Sequence, residues 1–181
     1  MTNLPNLLTL GRIVLIAPFA GLFFVPGMSA VWAVFALFVF AAVSDFFDGW
    51  LARRLNQTSD FGRVFDPIAD KLLVAAALIM LVAFDRAAVI PVVAILCREL
   101  LISGLREGLA GHIDLLVSRL GKWKTATQMT AIALLLVAPA LASVSQPLAQ
   151  AGEAALWLAA VLSWLSAGVY LRAVSRQWKA G

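Results

Sequence analysis

Six long apolar stretches, separated by short polar or helix-breaking segments, set the pattern of this chain. They run approximately over residues 7–26, 29–54, 62–84, 87–109, 121–143 and 152–174. Each is close to the length of about 20 residues that an α-helix needs to cross a bilayer. The punctuation is clear: "VPGMS" follows the first stretch, "NQTSD" the second, "FDRA" the third and "SVSQPLAQAGE" the fifth. The longest polar connection is "GLAGHIDLLVSRLGKWK", between the fourth and fifth stretches. No internal repeat interrupts the series. The pattern predicts an all-α integral membrane protein: one domain over residues 1–181, built as a six-transmembrane-helix bundle. A short interfacial helix is expected at "TNLPNLL", ahead of the first span.

Composition supports that class. The chain is 62% hydrophobic and 13% charged, against about 45–50% and about 25% in soluble domains. No stretch is left over for a separate soluble domain. Cys97, the one cysteine, lies in an apolar run and is expected to be a buried, inert thiol. A cleavable signal peptide fits poorly, because the first positive charge comes late and no small-x-small site follows the apolar stretch.

Charge sets the orientation. With both termini inside, every one of the 14 basic residues except Arg86 falls on the cytoplasmic half. Trp50, Trp123 and Trp178 then anchor the inner interface, and Trp32 and Trp157 the outer one. The net charge of +4 favours anionic partners, either lipid headgroups or phosphorylated substrates, and no nucleic acid is expected.

Against this background the stretch "SDFFDGWLARRLNQTSDFGRVFDPIADK" stands out, because carboxylates at bilayer depth are costly. Asp45, Asp48, Gly49 and Ala52 share one face of the second helix, and Gly62, Asp66 and Asp70 share one face of the third. The short connection makes these helices antiparallel neighbours, and at about 1.5 Å per residue the two acidic sets reach the same depth. Four carboxylates that close repel unless they are protonated, paired or wrapped around cations. Arg53, Arg63 and Lys71 are near in sequence, but Lys71 points about 100° away from Asp70. All-oxygen ligation suits hard ions, so a pair of Mg2+ or Mn2+ ions is the expected resolution. Gly49, Ala52 and Gly62 leave room for a flat base or a phosphate against the backbone; for Gly62, close helix packing explains the missing side chain equally well.

Asp45-x2-Asp48-Gly49-x2-Ala52-Arg53-x8-Gly62-x3-Asp66-x3-Asp70 resembles, at every fixed position, the signature of the CDP-alcohol phosphatidyltransferases. The resemblance implies a six-span fold, usually homodimeric, with a polar cavity facing the cytoplasm. It implies that Asp45, Asp48, Asp66 and Asp70 bind a divalent metal pair, with Asp70 a further ligand or the catalytic base. It implies that the CDP group lies against Asp45, Asp48, Gly49, Ala52, Arg53, Gly62 and Asp66.

The flanks "NLLTLGR", "RELLISGLRE" and "GKWKTATQM" resemble the bacterial branch of that family whose acceptor is glycerol 3-phosphate. That resemblance spans about residues 3 to 130; beyond it only a hydrophobic pattern is legible. It implies CDP-diacylglycerol as donor, CMP and phosphatidylglycerophosphate as products, and a bacterial inner membrane as the location. Arg12, Arg98, Arg106, Arg119, Lys122 and Lys124 are the candidates for the acceptor phosphate, with Arg106, Lys122 and Lys124 foremost. Arg98, deep in its span, needs a cavity or a partner. It lies eight residues from Arg106, so both can line one cavity; a Glu99–Arg106 ion pair is the plain structural alternative for Arg106. His112 reads as a solvated loop residue. Competing readings keep the chemistry with serine, inositol phosphate or phosphatidylglycerol as acceptor, or replace it with metal-ion transport. Acids confined to one depth, with no polar trail beyond, speak against transport.

Overall fold

The computed structural model describes residues 4–55, 60–109 and 119–178. They form six α-helices: α1 Leu4–Leu22, α2 Met28–Leu55, α3 Asp60–Ala83, α4 Val89–Gly108, α5 Arg119–Val137 and α6 Ser145–Trp178. A 3₁₀ turn at Ala138–Ala140 joins α5 to the loop before α6. All six predicted helices are present, and three boundaries differ for reasons that lie in the prolines. Pro5 stands in the first turn of α1, where a missing N–H is harmless, so the chain from Leu4 runs directly into that helix. Residues 4–8 of the interfacial helix expected there are part of α1, and Thr2 and Asn3 lie outside the described residues. α5 stops at Val137 rather than 143, because Pro139 cannot continue the helix and tightens it into the 3₁₀ turn. α6 starts at Ser145 rather than 152, with Pro147 again in a first turn.

The α3–α4 turn is a Schellman-type stop. The Asp85 N–H donates to the Val82 carbonyl at 3.1 Å and the Arg86 N–H to that of Leu81 at 2.8 Å, with Asp85 at φ 55°. The α4 N-cap residue, Ala88, has no side chain to offer; its N–H donates instead to Glu153 Oε2 of α6 at 3.2 Å. Arg86 lies over the Phe23 ring at 5.6 Å, and partial burial lowers its pKa from the usual arginine value.

The hydrophobic core occupies one end of the bundle. Phe19 comes from the end of α1 and Phe23 from the turn just beyond it, Phe38 from α2, Leu78 and Leu81 from the end of α3 and Ile95 from α4, with Leu135 and Leu156 closing it. Buried polar side chains (Arg12, Arg98, Lys124, Gln128, Ser163 and Ser166) lie toward mid-bundle and beyond, on the side of the aspartate-bearing turns. α5 and α6 approach closely at Gly152, where a Cβ would stand 2.8 Å from Leu135 Cγ and 3.2 Å from Leu134 Cβ.

α4 buries the stripe Pro91, Val92, Ile95, Arg98 and Ile102. Cys97 lies on another face and is exposed, which corrects the expectation of a buried thiol. The outward faces of the helices stay apolar: Leu100 is 76% exposed and Phe24 74%. Among the described residues one helical stretch, Ser145–Ser175, is long and apolar enough to cross a membrane; Leu10–Leu22, Met28–Ser44 and Lys71–Ala83 are shorter apolar segments.

Candidate active site

α2 runs unbroken through Asp45, Asp48, Gly49, Ala52 and Arg53, and α3 through Gly62, Asp66 and Asp70. The two helices pack against each other. The i, i+3 and i, i+4 spacings of the signature are therefore held on regular helix, as a shared acidic face requires. The side chains of residues 45–67, of Asp70 and of Arg119 lie outside those described. Among the described residues no group of three acidic, histidine or cysteine side chains could hold a metal ion. The donor set of the signature, all carboxylate on two neighbouring helices, fits a hard divalent ion.

A groove of about 740 Å³ lies between α3, α4 and α5. Its apolar walls include Ile68, Leu72 and Ile79 of α3 and Leu96 and Leu100 of α4. Its polar end carries Lys71, Glu99, Ser103, Glu107, Lys124 and Gln128. Here the Lys71 ammonium donates to the Ser103 hydroxyl, and the Lys124 ammonium donates to Glu99 Oε1. Glu99 Oε1 also accepts from Arg98 Nη1 at 3.0 Å. The rest of the Arg98 guanidinium turns to α6: Nε donates to the Ser163 carbonyl at 3.0 Å and Nη2 to Ser166 Oγ at 2.8 Å. One carboxylate thus joins α4, α5 and, through Arg98, α6, while Ser103 joins α4 to α3.

This arrangement sorts the basic candidates. Arg98 has its partner, a buried network rather than an open cavity, so it does not line the groove. Arg106 also turns to α6, where its guanidinium lies 5.8 Å from the centre of the Tyr170 ring. Its pairing with Glu99 does not occur, since that carboxylate serves Arg98 and Lys124. Lys124 is buried, Lys122 exposed and Arg12 buried. Sequence reasoning passed over Glu99 as a hub and over Ser103 and Gln128 altogether. The signal was available on α4, where Glu99, Ser103 and Glu107 recur at i, i+4 and i+8 along one face.

An all-helical bundle with an acidic signature on two adjacent helices defines a class, and comparison with known proteins agrees with it. A family model for CDP-alcohol phosphatidyltransferases matches residues 2–165. The chain belongs to the CDP-alcohol phosphatidyltransferase family. Within it, the chain is similar to the CDP-diacylglycerol–glycerol-3-phosphate 3-phosphatidyltransferase of Rickettsia typhi, at 44% identity over 174 residues, covering 96% of this chain and 97% of the relative. The proteins of the same name from Pectobacterium atrosepticum and Escherichia coli are 42% and 40% identical over 176 residues, covering 94% of each chain.

Proposed function

We propose that this protein transfers the phosphatidyl group of CDP-diacylglycerol to the primary hydroxyl of glycerol 3-phosphate, giving phosphatidylglycerophosphate and CMP. The observation that carries the reading is near-full-length similarity to relatives with that activity in their name, on top of an unbroken signature. The reaction makes one bond and breaks one. The acceptor oxygen bonds to the phosphorus bearing the lipid, and the bond from that phosphorus to the CMP oxygen breaks. Asp70 takes the proton of the attacking hydroxyl. Asp45, Asp48, Asp66 and Asp70 would hold two Mg2+ or Mn2+ ions. When bound, those ions supply charge neutralisation to the diphosphate. Gly49, Ala52 and Gly62 leave the cytidine and diphosphate access to the helix backbone, and Arg53 adds a charge to that surface.

For the acceptor phosphate, Arg106 and Lys122 are the strongest candidates, with Arg12 and Arg119 beside them, because neither Arg106 nor Lys122 has a carboxylate partner among the described residues. A phosphate at Lys124 would compete with Glu99, and Arg98 is occupied by Glu99, Ser163 and Ser166. The apolar outer faces support a multi-pass membrane protein, and the distribution of basic residues supports six spans with both termini cytoplasmic, in the bacterial inner membrane. The donor's acyl chains then stay in hydrocarbon while its headgroup enters at carboxylate depth. A homodimer and a single domain over 1–181 belong to the same reading.

The test is the purified protein with CDP-diacylglycerol, Mg2+ and radiolabelled glycerol 3-phosphate. Labelled lipid and stoichiometric CMP are expected from the parent chain, and Asp66→Asn should abolish both. An Asp66→Asn variant as active as its parent refutes the metal assignment. CMP release with serine or inositol phosphate in preference to glycerol 3-phosphate refutes the acceptor.

A further inference from the structure

We propose that the α3–α4–α5 groove is a lipid site, distinct from the aspartate face, that takes an anionic lipid with a glycerol phosphodiester headgroup, as in phosphatidylglycerol. Both the site and the headgroup it selects rest on the groove and its polar end, not on the function proposed above. Its walls and its end differ in kind. Ile68, Leu72 and Ile79 lie on the face of α3 away from the buried stripe Leu73, Ala77 and Leu81. Leu72 and Ile79 are exposed, as is Leu100 across from them, so the groove opens sideways onto the surface of the bundle. That is the direction from which a lipid, and not a soluble metabolite, arrives. The volume, about 740 Å³, is that of a ligand pocket rather than a packing defect.

The polar end supplies what a phosphoglycerol headgroup needs. Lys124 is already matched by Glu99. Lys71 is not matched in charge: among the described residues its ammonium has only the neutral Ser103 hydroxyl. An exposed cation with a neutral partner leaves room for a phosphate oxygen. Glu99 and Glu107 flank Ser103 by one turn on either side of the same α4 face. Carboxylates repel a bare anion but accept hydrogen bonds from hydroxyls, which a glycerol headgroup has and a simple phosphomonoester lacks. The buried Gln128 amide adds a donor and an acceptor to the same end. Phosphate on Lys71, hydroxyls toward the carboxylates and one acyl chain along Leu72, Ile79 and Leu100 satisfy every part of the groove. Lys71 directly follows Asp70, so the occupant touches the helix that carries Asp66 and Asp70.

The test is native mass spectrometry of the full chain in mild detergent, titrated with dioleoyl phosphatidylglycerol, phosphatidic acid or phosphatidylcholine. One phosphatidylglycerol per chain should be retained about fivefold more tightly than phosphatidylcholine, the upper end for one exposed charge pair. Lys71→Gln should erase that preference, and Ala75→Phe, at an α3 position that lines the groove, should fill the apolar wall and weaken all three lipids. A preference that survives Lys71→Gln, or phosphatidic acid held as tightly as phosphatidylglycerol, overturns the proposal. Displacement of the lipid by soluble glycerol 3-phosphate would give the groove to the acceptor. Loss of the lipid on dimerisation would give it to a second copy. Both overturn the proposal. Because no donor is present, a failure here leaves the transfer reaction standing, and a failure of that reaction is read in the CMP assay alone.

Discussion

Replacing Glu99 by leucine isolates the polar hub from everything else in the bundle. The leucine is close to glutamate in size, so packing changes little, but two buried cations lose their common carboxylate. Arg98 keeps the Ser163 carbonyl and Ser166 Oγ, whereas Lys124 keeps no hydrogen-bond partner among the described residues. Breaking a buried ion pair from one side costs about 3–5 kcal/mol, because the remaining charge stays desolvated. The Glu99 side chain is 22% exposed, so some water reaches the site and the lower figure, about 3 kcal/mol, applies. For a chain of this length that corresponds to a fall of roughly 6–12 °C in melting temperature. The double variant Glu99→Leu/Lys124→Met removes one of the two orphaned cations and should recover roughly half of the loss. The assay is a thermal melt of each purified variant in the same detergent. A Glu99→Leu protein melting within about 2 °C of its parent, well below the scale of a broken buried pair, refutes the hub. So does a double variant no more stable than the single one.

Two further substitutions probe the packing and the turns by the same melt. Gly152→Val places atoms where Leu135 Cγ already stands 2.8 Å from the would-be Cβ, and should cost about 1–3 kcal/mol by overpacking α5 against α6; an unchanged melting point would show that the two helices can part freely. Asp85→Gly should stabilise the protein by about 0.5–1 kcal/mol, since φ 55° at the α3 stop is a conformation that glycine adopts without strain; a loss of stability would mean that the Asp85 side chain supports the turn.

The parts of this protein legible in its sequence are those written within a single helix. Hydrophobic stretches located all six helices, and the spacing of Asp45, Asp48, Asp66 and Asp70 placed an acidic set on two adjacent ones. What escaped is contact across sequence distance. Glu99 has a same-helix candidate in Arg106, two turns along nearly the same face of α4; the structure gives the carboxylate to Lys124, 25 residues away on α5. Arg98 needed a partner, and nothing in α4 reveals that it is the backbone of Ser163 and the hydroxyl of Ser166 on α6. The Ala88 cap depends likewise on Glu153, 65 residues on. The proline of "SVSQPLAQAGE" invites a long loop. Pro147 in fact sits in the first turn of α6, where proline is at home.

The distribution of polarity explains why this bundle can carry costly carboxylates at all. Its close-packed apolar core lies at the end of α1, α3 and α5 and the start of α2, α4 and α6, so stability does not depend on the turns that bear the aspartates. Between apolar helices in a membrane, however, burial gives little direction, because lipid is as apolar as leucine. Directional contacts must set the helix register, and α4 provides them to three neighbours at once. Arg98 fixes it to α6, Glu99 to Lys124 of α5, and Ser103 to Lys71 of α3. The last of these adjoins the acidic signature in sequence, since Lys71 follows Asp70. A helix with one face of Pro91, Val92, Ile95, Arg98 and Ile102 toward the core and a second of Glu99, Ser103 and Glu107 toward the groove is a spacer. It lets α3 present acids on one side while being held from another.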